Sequence, residues 1–119
     1  MSHPLRYARR SVWITGTFAA LFLTAGVTAS RSVRAADTTI TIDNFTFTPA
    51  QLKVAPGTRV TWVNNDDIPH QIVDATDAQA MKSPPLDTGD RFSFTYAKVG
   101  DYPYFCGLHP HMQGAVVVQ

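Results

Sequence analysis

Tyr102-Pro103-Tyr104-Phe105-Cys106-Gly107-Leu108-His109-Pro110-His111-Met112-Gln113 places a thiol, an imidazole and a thioether at three-residue intervals, just after an aromatic, strand-forming run. Cys106, His109 and Met112 can therefore turn to one ion from a single short loop. A soft thiolate, a neutral imidazole and a weak, distant thioether, joined by a second imidazole, make the trigonal His2Cys site with long axial Met that suits an electron-transfer copper. The second imidazole is expected at His70. Beyond residue 36 the only other histidine is His111, which sits between two loop ligands and by the alternation of an extended segment faces outward.

Working outward, the loop is bracketed by strand signals. Phe92, Phe94 and Tyr96 alternate with Ser93 and Thr95, Gly100 turns the chain toward the loop, and Gly114 releases it into Ala115-Val116-Val117-Val118. Upstream, Thr58 to Asn64 is β-branched and aromatic, with Val60 and Trp62 on one face, and reads as a central strand. Pro69 stiffens the approach to His70, and Gln71-Ile72-Val73 reads as the next strand. Thr38 to Phe47 alternates around an Asp43-Asn44 interruption and predicts a first strand pair. Leu52 and Val54 form a short strand before a Pro56-Gly57 turn. Asp74 to Gly89 is a long, polar, proline-containing connection without helical periodicity. About seven to eight short strands separated by turn signals predict an all-β Greek-key sandwich.

The run Tyr104 to Met112, preceded by Thr61-Trp62-Val63-Asn64 and by Pro69-His70, resembles the cupredoxins, the type 1 blue copper proteins, and within them the amicyanin and plastocyanin group. The likeness extends from Thr38 to Val118, and two residues between Cys and His plus two between His and Met match the amicyanin-type loop. The resemblance implies a cupredoxin-type sandwich, one type 1 copper held by His70, Cys106, His109 and Met112, and a monomer that meets its redox partners transiently. Those partners would be a dehydrogenase or cytochrome as donor and a cytochrome or oxidase as acceptor. It also implies that Asn64 ties its loop to the ligand loop and that its backbone donates toward the Cys106 sulfur. Many relatives carry Thr after the Cys and Asn after the first His; Gly107 and Gln71 stand there in this chain, so no side-chain link from Asn64 to residue 107 can form. Pro69, Pro110 and Met81 are the candidates for an apolar patch around the exposed edge of His109, with core filling as the other reading of Met81. Tyr102 and Tyr104 read as core residues whose phenols find hydrogen-bond partners.

The chain has 119 residues, enough for one domain. Residues 1–35 read as an export signal: basic to Arg10, uncharged and apolar from Val12 to Ala29, with Val33-Arg34-Ala35 before a cut near Ala35 or Ala36. Arg9-Arg10 partly matches a twin-arginine signal, so the route is Sec or twin-arginine and the destination periplasmic; a retained signal would instead anchor the chain in the membrane. Residues 36–119 then form the cupredoxin domain. Its five basic and nine acidic side chains leave a net charge of −4, the wrong sign for a nucleic-acid surface. Cys106 is its only cysteine, so an intrachain disulfide is excluded and metal ligation is the reading that His109 and Met112 favour.

These features predict a one-electron carrier in which copper cycles between Cu(I) and Cu(II), not an enzyme. The alternative is a periplasmic copper-binding and delivery protein, which would favour Met-rich or His-rich tracts; after residue 36 the methionines are Met81 and Met112. An oxidase or nitrite-reductase-like enzyme would need a second, His-rich copper site that three histidines cannot supply alongside the first.

Overall fold

A computed structural model describes residues 36–119 together with Gly26; apart from that glycine, the segment read as an export signal lies outside the described residues. The β-branched and aromatic alternation forms eight strands: β1 (Asp37–Asp43), β2 (Thr46–Thr48), β3 (Gln51–Val54), β4 (Thr58–Asn64), β5 (Ile72–Asp74), β6 (Arg91–Tyr96), β7 (Gly100–Cys106) and β8 (Gln113–Val118). They make two mixed four-stranded sheets, ordered β2-β1-β4-β6 and β3-β8-β7-β5, in which β1 with β4 and β3 with β8 run parallel. This is the all-β sandwich expected from the sequence.

The inward residues follow the strand period of two. Ile40 and Ile42 from β1, Val60 and Trp62 from β4, and Val116 and Val118 from β8 are buried between the sheets. Ile40 stands opposite Trp62, and Trp62 opposite Phe92, so the first sheet presents one continuous apolar face. Tyr104 of the second sheet meets it edge-on, its ring 5.3 Å from Trp62 and 4.8 Å from Phe47. Among the described residues the Tyr104 hydroxyl and the Trp62 indole nitrogen have no hydrogen-bond partner, contrary to the expectation for buried phenols. Burial pushes the Tyr104 phenol up to about 12, an effect the Trp62 indole partly offsets without reaching full hydrogen-bond geometry. Tyr102 is only partly buried, and its hydroxyl donates to the Lys98 carbonyl at 2.8 Å.

Two turns fix how strands reach the site. At Pro56-Gly57 the Thr58 N–H returns to the Ala55 carbonyl at 3.2 Å, and Gly57 takes a φ of 86°, where the lack of a Cβ removes the steric cost. The β1–β2 hairpin turns through Asn44 and Phe45, both left-handed at φ 48° and 56°, between paired Asp43 and Thr46. Two positive φ angles are the requirement of a type I′ hairpin, which ordinarily selects Asn-Gly; this chain has Phe in the glycine position.

The 75–90 connection contains no helix, as its pattern indicated, but it is more than a polar crossing. It folds back through bridges between His70 and Leu86 and between Val73 and Lys82, and buries Met81, Ser83 and Leu86. Met81 is therefore core: it is 3% exposed, and the Tyr96 hydroxyl lies 3.6 Å from its sulfur.

Candidate metal centre

Sheet register brings the donors together. Ile72 pairs with Cys106 across β5 and β7, so His70, two residues before Ile72, arrives beside the end of β7. Phe105 pairs with Gln113 across β7 and β8, so residues 107–112 close the end of that hairpin as the ligand loop. The loop is cinched by its own backbone: Cys106 N–H donates to the Met112 carbonyl (3.0 Å), His109 N–H to the Cys106 carbonyl (3.2 Å), and Met112 N–H to the His109 carbonyl (2.9 Å).

Of the four residues read from the sequence as ligands, the structure gathers His70, Cys106 and His109, whose donor atoms all lie within 4.8 Å of one another. Cys106 Sγ is 3.6 Å from Nδ1 of His70 and 3.6 Å from Nδ1 of His109. His70 and Cys106 are fully buried, while His109 is partly exposed. Met112 is buried in the same core cluster as Cys106 and lines, with His109, an apolar hollow at the surface. His111 is exposed and outside the donor cluster, as the alternation of the loop required.

The supporting residues were less legible. His70 Nε2 lies 3.0 Å from Asp66 Oδ2, which fixes the ring proton on Nε2 and leaves the Nδ1 lone pair directed at the thiol. The same oxygen accepts the Phe45 N–H at 3.0 Å, and Asp66 Oδ1 accepts the Asp67 N–H at 3.0 Å. The Phe45 amide first, then the His70 ring and the Asp67 amide, hold the Asp66 carboxyl down from 3.8 to about 2 against the opposing effect of burial. In the sequence Asp66 lay in a loop-like polar run, and nothing there separated it from Asp67. The Phe45 ring stands edge-on to both imidazoles, with centroids 5.8 Å from His70 and 5.1 Å from His109. In the sequence it stood only as an apolar residue resuming the alternation after the Asp43-Asn44 interruption, with nothing to tie it to the site.

The backbone donor to sulfur differs from the one the resemblance implied. The Gln71 N–H, not that of Asn64, points at Cys106 Sγ, at 3.4 Å. Asn64 donates instead through its side chain to the Ile68 and Leu86 carbonyls, both at 2.9 Å, so it secures the His70 loop against the 75–90 connection. The Gln71 side chain donates to the Ser83 carbonyl at 2.8 Å and lies over Gly107, where a Cβ would collide with its Oε1.

This arrangement fits a metal. A sulfur at about 2.3 Å and a nitrogen at about 2.05 Å from one ion stand roughly 3.5–3.8 Å apart at tetrahedral to trigonal angles, and both sulfur–nitrogen separations here are 3.6 Å. One thiolate with two imidazoles is a donor set for a borderline-soft ion, and both Nδ1 atoms face the sulfur.

The model of the cupredoxin-like domain matches residues 16–118, and the chain belongs to that family. The cofactor that this family and this donor set define is a single copper ion. The chain is 33% identical over 89 residues to amicyanin of Paracoccus denitrificans, covering 71% of this chain and 68% of that protein. It is 32% identical over 108 residues to the chloroplastic plastocyanin of Tetradesmus obliquus, covering 80% and 74% respectively. Among solved structures, a purple cupredoxin from Nitrosopumilus maritimus superposes with a TM-score of 0.64 at 36% identity, over 70% of this chain and 100% of that one.

Proposed function

We propose that the chain is a small exported blue copper protein that carries one electron at a time between redox partners, with His70, Cys106, His109 and Met112 holding the ion. The observation that carries this reading is the convergence of both Nδ1 atoms on one buried thiol within a fixed hydrogen-bond frame. Copper bound there would supply the Cu(I)/Cu(II) couple. The chain's part is to keep the donors in one arrangement for both oxidation states: Asp66 fixes the His70 ring, Gln71 N–H is directed at the sulfur, and three backbone bonds hold the loop. Met112 would be the weak fourth donor, a thioether whose strength would tune the potential of the bound ion. Burial of His70 and Cys106 behind these bonds favours a carrier over a delivery protein, which must surrender its ion readily.

The partner face follows from the hollow lined by Phe45, Leu108, His109, Pro110, His111 and Met112. It is apolar around the one partly exposed ligand, which suits brief encounters with a redox protein and fast dissociation. The basic, then apolar residues 1–35 support export to the periplasm with cleavage near Ala35 or Ala36, leaving 36–119 as the working domain.

Loading the purified protein with Cu(II) and recording its visible spectrum tests the assignment. An intense blue thiolate charge-transfer band is expected in the wild type and is expected to vanish in Cys106→Ser, with the β-sandwich circular dichroism unchanged. An equally intense band in the Ser variant would overturn the role given to Cys106.

A further inference from the structure

Lining the partner face does not explain the backbone conformation of Phe45. It occupies the tip of the β1–β2 hairpin at φ 56°, a left-handed conformation that bulky side chains rarely adopt, and it follows Asn44 at φ 48°. A glycine would meet this turn without strain. The side chain is also 51% exposed, so burial of the ring against the core does not account for it. Two contacts remain, and both lead to the same place. Its N–H donates to Asp66 Oδ2, the oxygen that also engages His70 Nε2. Its ring edge meets the two imidazoles at interplanar angles of 89° and 84°, while the imidazoles themselves lie 5.0 Å apart and tilted at 58°.

We propose that Phe45 is a positioning residue for the ligand pair: the hairpin accepts a strained tip so that an aromatic ring roofs both imidazoles and restricts the rotation of His109. His70 needs little such help, because it is fully buried and Asp66 fixes its ring. His109 sits on the short loop and is partly exposed, and besides the His70 imidazole the Phe45 ring stands against it from outside the loop. Edge-to-face packing at 5.1 Å is specific for ring orientation as well as position, so it resists a flip of the imidazole away from the sulfur. The carboxylate shared by Phe45 and His70 makes the roof and the buried ligand move together.

This inference rests on the reading of His70 and His109 as ligands, and its test separates the two. Phe45→Gly and Phe45→Ala are made in the full chain. Both remove the ring, but only Ala keeps a Cβ at the left-handed position. In the metal-free protein, Phe45→Gly is expected to melt at a higher temperature than Phe45→Ala, and nitrogen-15 NMR is expected to show faster motion of the His109 ring in both than in the wild type. After loading with Cu(II), both variants are expected to lose the ion to a chelator alike, about tenfold faster than the wild type, a change within the range expected for residues that support a ligand. A Gly variant that melts below the Ala variant would refute the strained tip. Unchanged His109 motion and unchanged copper loss would refute the roof. A protein that binds no copper in a blue site fails the electron-carrier reading alone, and the metal-free ring motion still decides the role of Phe45.

Discussion

Asp66 shows how much a single carboxylate can organise. One oxygen joins the hairpin amide of Phe45 to the ring of His70, and the other receives the Asp67 amide. These bonds lower its pKa from 3.8 to about 2, so the folded state favours the ionised form more than the unfolded chain does. The sign follows: the stabilisation is fully present above pH 3.8 and is lost as pH falls through about 2. In the metal-free protein, Asp66→Asn is expected to melt below the wild type at neutral pH, with the gap closing between those two values. Thermal melts followed by circular dichroism at a series of pH values measure it; a gap independent of pH would show that the ionised carboxylate is not what stabilises. Asp74 also has its acidity strengthened: burial opposes ionisation, but the Asp77 amide and the Thr76 hydroxyl and amide outweigh it. Its contribution runs in the same direction and would remain in the Asp66 variant.

At the scale of elements, the ligand loop is coupled to β5 through an exchange of backbone bonds and one side chain. Gly107 N–H donates to the Gln71 carbonyl at 3.1 Å, Gln71 N–H is directed at Cys106 Sγ, and the Gln71 amide crosses over Gly107 to reach the Ser83 carbonyl. Any side chain at 107 must displace that amide and also press on Val73 Cγ2, 3.1 Å from the Cβ position. Gly107→Ala is therefore expected to cost about 1–3 kcal/mol as an overpacking change. In a Gln71→Ala background the same substitution should cost less, by about 0.5–3 kcal/mol of coupling. Denaturant unfolding of the four metal-free proteins measures this, and additive effects would separate the two residues. From the sequence, Gly107 and Gln71 stood out only as departures from a pattern in relatives. That the glutamine fills the space left by the glycine depends on register, because Ile72 must pair with Cys106 to set residue 71 beside residue 107.

Across the whole molecule, the site lies where the end of β7 meets the approach to β5, roofed by a hairpin from the other sheet, and the partner face proposed above is the hollow around His109. Pro110 is exposed on the rim of that hollow, so a charged residue there should leave stability within about 0.5 kcal/mol. Pro110→Glu is expected to slow electron transfer to a cytochrome or oxidase acceptor by about tenfold, the factor that a 1.4 kcal/mol weaker encounter would give. Stopped-flow absorbance measures the rate, and an unchanged value would move docking to another face. By itself the sequence determined the strand pattern, the Pro56-Gly57 turn and the candidate donors, of which the fold gathers His70, Cys106 and His109, because these depend on side-chain alternation, local backbone freedom and ligand chemistry, all carried by short stretches of chain. Only the tertiary structure decided that Phe45 roofs the imidazoles, that Asp66 rather than Asp67 fixes His70, that Gln71 rather than Asn64 faces the sulfur, and that Met81 is core. Each of those contacts joins residues from separate elements, and which of several chemically similar neighbours makes it is set by strand register and sheet packing, to which local sequence is blind.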